Sequence, residues 1–343
     1  MKTASDARST ALIDKAWPWL TALLLRLPVA PIRRQRIYAL ILLLAQAGIA
    51  VTGSIVRVSG SGLGCDTWPQ CHPGTFVPRA GATPMVLQVI EFGNRLLTFV
   101  LIAICLVVFL SALRARRRND IILLAFISGL GIILQAVIGG ISVLVDLHWA
   151  AVMVHFLPSM LLTWIAAMLF VRIGCPDDGN AERIYPQWLR YLAGFAATIM
   201  VLTLITGTMV TAAGPHAGDA DIGPEDRLQL PIPELVSAHA GATYLLCGLV
   251  IGLVFALHAV PKVPKSLLKW GWLTVGMIVL QGVIGMTQHL NDVPEFLVPF
   301  HVAGSGAVVA FMGILWQRGY ILTGGSATVT GSVEGDAEYT AKH

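Results

Sequence analysis

Eight separate stretches of this 343-residue chain stay apolar for about twenty residues each, and that feature limits its fold more than any other. A helix rises about 1.5 Å per residue, so about 20 residues cross a hydrocarbon core roughly 30 Å thick. The stretches are Tyr38–Val56, Met85–Leu110, Ile121–Val145, Trp149–Val171, Trp188–Ala213, Leu235–Val260, Leu267–Thr287 and Phe296–Trp316. Lipid offers no partner to a backbone N–H or C=O, so such runs, which lack strand-like alternation, are helical. Only 12% of residues are charged, against about 25% in a soluble domain. The expected fold is an all-α membrane protein with eight transmembrane helices.

Charge sets the orientation. With the N-terminus in the cytoplasm, 19 of the 23 Lys and Arg residues fall on the cytoplasmic side, and only Arg57, Arg79, Arg95 and Arg227 do not. The positive-inside rule then predicts a multi-pass protein with both termini cytoplasmic. The net charge of +4 reflects this asymmetry and points to no nucleic-acid partner. Residues Ala11–Ala30 are apolar but carry Asp14, Lys15, Pro18 and Arg26, which fits an interfacial segment anchored by Trp17 and Trp19. The Gly/Ser/Thr-rich tail after Gly324 is expected to be disordered.

The chain also repeats itself. Thr52-Gly53-Ser54-Ile55-Val56 recurs as Thr206-Gly207-Thr208-Met209-Val210, 154 residues later. Leu134-Gln135-Ala136-Val137-Ile138-Gly139 recurs as Leu280-Gln281-Gly282-Val283-Ile284-Gly285 at an offset of 146, which also carries His155 onto His301. The difference of 8 places extra residues in the first half, most simply between its first two spans. Four spans per half give both halves one orientation, related by an axis along the membrane normal. The expected architecture is therefore two pseudo-symmetric four-helix bundles. An N-terminal cytoplasmic or interfacial segment (1–36) precedes the first half (37–172). A cytoplasmic linker (173–189) leads to the second half (190–318) and a cytoplasmic disordered tail (319–343).

Three of the nine histidines lie inside spans: His155, His239 and His301, each one to two turns from the outer end. Ionisable groups at that depth face a bundle interior or a cavity, because lipid solvates them poorly. Imidazoles on neighbouring helices are a standard way to grip haem iron from both faces. His239 and His301 supply such a pair in the second half. Shifting His239 back by 145 residues lands on Asn94, so the first half has His155 and, at the second ligand position, an asparagine. Three residues earlier stands Glu91. An intramembrane carboxylate is expensive unless paired or useful. Glu91 is either the partner of Arg95 or Arg57, or a charge-stabilising or proton-transfer group at a haem edge. Cys65 and Cys71 share the first outer loop, on an oxidising side where a disulfide forms readily. A structural staple and a redox pair are both open. Zinc has only His72 as a third ligand.

The run Thr52-Gly53-Ser54-Ile55-Val56-Arg57-Val58-Ser59-Gly60-Ser61-Gly62-Leu63-Gly64-Cys65, followed by Trp68-Pro69 and Cys71, resembles the first helix and loop of haem A synthase. The resemblance is to the bacterial type with a cysteine pair in this loop, and it extends from about Tyr38 to Trp316. It implies an oxidoreductase of the bacterial plasma membrane that makes haem A from haem O for cytochrome oxidase. Successive hydroxylations of a ring methyl give a geminal diol, which loses water to leave a formyl group. It further implies haem b as cofactor on His239 and His301, with haem O as substrate beside Glu91 and His155. Glu91 falls on the family's catalytic glutamate, which stabilises positive charge at the methyl carbon. Haem O synthase and cytochrome oxidase assembly factors are the implied partners. Asn94 stands where many members of the family have a fourth histidine, so His155 is expected to ligate alone, or with water or another group. Two rival classes are an electron-transfer cytochrome b and a haem transport or assembly protein. Glu91 and the lone His155 argue against the first, and haem A production separates all three.

Overall fold

The computed structural model describes residues 18–81, 83–177 and 180–323. Among these residues eight helices are long and apolar enough to cross a membrane. A short helix α1 (Pro18–Leu25) is followed by α2 (Ile32–Val58), α3 (Met85–Arg114), α4 (Asn119–Leu144) and α5 (Trp149–Ile173). The second half contains α6 (Gln187–Ala213), α7 (Ile232–His258), α8 (Lys265–Leu290) and α9 (Leu297–Arg318). Each of α2 to α9 matches one predicted apolar run, give or take a few residues. The largest extension is at α2, which begins at Ile32, inside the stretch assigned to an N-terminal segment. Arg33, Arg34 and Arg36 continue the helix because arginine favours helix and its long stem carries the charge to the polar layer. The interfacial segment is described only in part: Trp19 on α1 is exposed, Leu24 is buried, and Trp17 lies outside the described residues.

In the first half α2, α3, α4 and α5 pack in sequence order, and α5 closes back onto α2. Helices α6 to α9 repeat the order, but α9 touches α6 only slightly and packs instead on α2 and α5. The fourth helix of each half thus meets its counterpart at the centre. Leu42, Val108, Ile121 and Leu169 fill the first core, and Leu189, Val250, Leu253 and Leu267 the second. Large apolar side chains such as Leu44, Phe99, Leu130 and Phe255 point outward. So many exposed apolar groups need a nonpolar solvent. The chain is a multi-pass membrane protein.

The loop from Ser59 to Pro84 is eight residues longer than that from Gly214 to Pro231, which accounts for the difference between the repeat offsets. One feature departs from expectation. Asn180–Arg183 (β1) pairs antiparallel with Tyr320–Thr323 (β2), so strand pairing stands where linker and disordered tail were expected. Tyr-Ile-Leu-Thr is rich in β-favouring side chains, a signal too short to read beside a long apolar span. The rest of the tail, residues 324–343, lies outside the described residues.

At the arginine-rich end, Arg117 is almost fully buried. Its guanidinium donates to Gln35 Oε1 at 2.8 Å, to the Ile173 and Cys175 carbonyls at 3.0 and 2.9 Å, and to the Asp177 carboxylate at 3.0 Å. One side chain therefore ties α2, the α3–α4 turn and the end of α5. Arg117→Ala strands Asp177 and three acceptors, and is expected to cost about 3–5 kcal/mol. The check is the thermal midpoint of the detergent-solubilised protein, which should fall sharply.

Candidate functional site

A cavity of about 1680 Å3 runs through both halves at the end opposite the arginine-rich one. A single small-molecule site usually occupies roughly 300–1,000 Å3, so this one has room for more than one bulky ligand. Trp68, Pro69, His216 and Gly218 line it from the loops, which meet where the Gly62 N–H donates to the Gly218 carbonyl at 2.9 Å. The three predicted intramembrane histidines, Glu91 and Asn94 all line this one cavity.

In the second half, His239 on α7 faces His301 on α9. His239 Nδ1 donates to the Thr203 carbonyl at 3.0 Å, with the Thr206 hydroxyl 3.3 Å away. That bond fixes the ring and leaves Nε2 for another partner. The two ring centroids are 6.4 Å apart. Two imidazoles in line on one metal need about 6.2 Å: about 2 Å per bond, plus about 1.1 Å from each ring centre to its nitrogen. The observed centroid spacing is close to that value.

The repeated glycines explain themselves here. A Cβ at Gly139, Gly207 or Gly285 would stand 3.0, 3.0 or 3.4 Å from the ring of His155, His239 or His301 respectively. A side chain at Gly139 or Gly207 would crowd its imidazole, while one at Gly285 would reach ordinary contact with the His301 ring. In the first half the His155 ring carries a buried, unpartnered Nδ1. Asn94 Oδ1 accepts from the Thr52 hydroxyl at 2.7 Å. Thr52 and Thr206 are repeat equivalents, so their contacts independently place Asn94 where the second half has His239.

Glu91 is buried beneath the first loop. Its Oε2 accepts from the Cys65 N–H at 2.6 Å, and its Oε1 is held by both Nε and Nη2 of Arg95. Arg95 also donates to the carbonyls of Thr67 and Gln70 at 2.9 and 3.1 Å. Of the two cations considered for Glu91, the structure selects Arg95; Arg57 donates instead to the Thr211 carbonyl at 3.0 Å. Cys65 and Cys71 form a disulfide and are fully buried. This removes both sulfurs from any zinc site, and the His72 ring is engaged on both sides, by Asp66 at 3.0 Å and Gln88 at 2.8 Å. The loop also needs a glycine at Gly64, where a Cβ would come within 2.6 Å of the Leu87 backbone. Sequence reasoning named Arg95 as a neighbour but missed its role as the organiser of the loop. The four-residue spacing to Glu91 was the available signal. Gln88, which donates to the Arg79 and Thr83 carbonyls at 2.9 and 2.7 Å, gave none.

Fold and cavity together define a polytopic helical membrane protein with two related halves and half-buried imidazoles lining a shared cavity. The COX15-CtaA family, described as cytochrome oxidase assembly protein, matches residues 36–220. That is more than half of the chain, which belongs to this family. Among curated relatives, a protein named Heme A synthase from Alkalihalophilus pseudofirmus is 25% identical over 183 residues, covering 52% of this chain and 60% of that protein. Another of that name from Lysinibacillus sphaericus is 33% identical over 126 residues, 34% of this chain and 40% of the other. A Protoheme IX farnesyltransferase of Thermus thermophilus is 42% identical over 79 residues, 23% of this chain and 12% of that protein. The chain spans 60%, 54% and 55% of the length of three of the Heme A synthase relatives it matches.

Proposed function

We propose that the protein is a haem A synthase, an oxidoreductase that converts the ring methyl of haem O to a formyl group. The observation that carries this is the juxtaposition in one chamber of an iron-spaced imidazole pair, a separate imidazole and a buried carboxylate. Relatives named for haem A synthesis support the substrate. His239 and His301 hold haem b, which supplies a redox-active iron when bound. His155 ligates haem O in the first half. Glu91 places negative charge beside the reacting methyl carbon, where positive charge develops during oxidation. Arg95 offsets the cost of burying that carboxylate beneath the disulfide loop. The halves are then the units 37–172 for substrate and 190–318 for cofactor. The arginine-rich end, with both termini, faces the cytoplasm, and the chamber opens toward the outer side.

Haem O synthase is the proposed supplier of substrate, since farnesylated haems are too apolar to diffuse freely. The similarity to part of a farnesyltransferase supports that association. The test is expression in a bacterium that makes haem O but lacks haem A, followed by haem extraction and chromatography. Haem A should appear only with the protein present. Haem O alone, in membranes that contain the folded protein, refutes the assignment and leaves the electron-transfer or transport classes.

A further inference from the structure

Three of the four repeat-related glycines press on an imidazole, and the fourth does not. Gly53 is the equivalent of Gly207, yet a Cβ placed there would meet nothing within 4 Å. The missing ring is the one Asn94 replaces, as the Thr52 contact shows. A carboxamide is shorter than an imidazole and a poor iron ligand, so space is left beside a helix that still carries the clearance for a ring. When the single Thr52 proton goes to Asn94 Oδ1 at 2.7 Å rather than to the Ile49 carbonyl at 3.0 Å, the carboxamide, which lines the cavity, keeps its Nδ2 donors. The His155 ring lines the same cavity, with its Nδ1 buried and unpartnered.

We propose that the gap bounded by Gly53, Thr52 and Asn94 is a binding site for a small exogenous iron ligand, a diatomic molecule or small anion. It lies on the iron face opposite His155, and Asn94 Nδ2 donates a hydrogen bond to the bound ligand. This rests on the reading that His155 carries a haem. The second half has no such site, because His239 and His301 occupy both faces of their iron. At the iron itself the two halves thus differ through one residue: one iron is closed and the other is open.

The test uses the full-length protein, purified in detergent and loaded with two equivalents of haemin. After reduction it is titrated with carbon monoxide, and in the ferric state with cyanide. About half of the bound haem should shift its Soret band with either probe. Asn94→His should leave haem content unchanged, raise the low-spin fraction and cut carbon monoxide affinity at least tenfold. Asn94→Leu should keep the response but release the ligand about five- to tenfold faster, the loss of one hydrogen bond. Two bound haems with no response to either probe overturn the proposal, as does a response undiminished in Asn94→His. His155→Ala separates the premise. Loss of one haem together with the response supports both, while unchanged haem content overturns the reading that His155 is a ligand.

Discussion

His301→Ala should strip the second half of its haem. The wild-type pair already stands 6.4 Å apart between ring centroids, with His239 locked by the Thr203 carbonyl. The site is therefore prepared before any iron arrives. Disturbing only an outer partner of a metal ligand costs about 10–100-fold in affinity, so losing a ligand itself should cost at least about 100-fold. The low-spin absorption of the purified protein should fall by the share that this haem contributes, and His239→Ala should match it. His301→Ala only removes atoms from a ring that lines the cavity, so the helical fold should persist by circular dichroism. Full low-spin absorption in both variants would remove the second half as the cofactor site.

The second large effect concerns Glu91. Glu91→Ala should reduce haem A formation by about 10²–10³-fold, the usual cost of removing a preorganised charge-stabilising group. The structure shows why alanine alone is not decisive: the same carboxylate receives the Cys65 N–H and holds Arg95, which holds the loop. Glu91→Gln separates the roles. An amide oxygen can still accept from Cys65, but the negative charge is gone. If the charge works on the substrate, glutamine should be nearly as inactive as alanine while the loop stays intact. If glutamine restores haem A, the residue is a clamp for the disulfide loop and not a chemical participant. Chromatography of extracted haems reads both variants, and haem O should accumulate where haem A is lost.

Much of the site could be read before the fold was known, for a physical reason. A polar group inside lipid is costly, so His155, His239, His301 and Glu91 stood out against apolar sequence. The repeat then aligned Asn94 with His239, and the Thr52 and Thr206 contacts bear this out. Less legible was the first loop. Its two cysteines could be a pair or two metal ligands, and only the chain's path buries them as a disulfide with the Cys65 amide aimed at Glu91. Arg57 and Arg95 were equal candidates for Glu91 by composition, and geometry chose between them.

Hydrophobic length and internal repetition act along the chain, so eight helices, two related halves and the depth of the polar groups were legible without any fold. Tertiary structure alone decided that the halves share one chamber, since that depends on α9 leaning away from α6 onto α2 and α5. It also decided what the recurring glycines are for. A glycine in an apolar run reads as helix packing, and its meaning appears only when the neighbouring helix brings a ring against it, or, at Gly53, brings none.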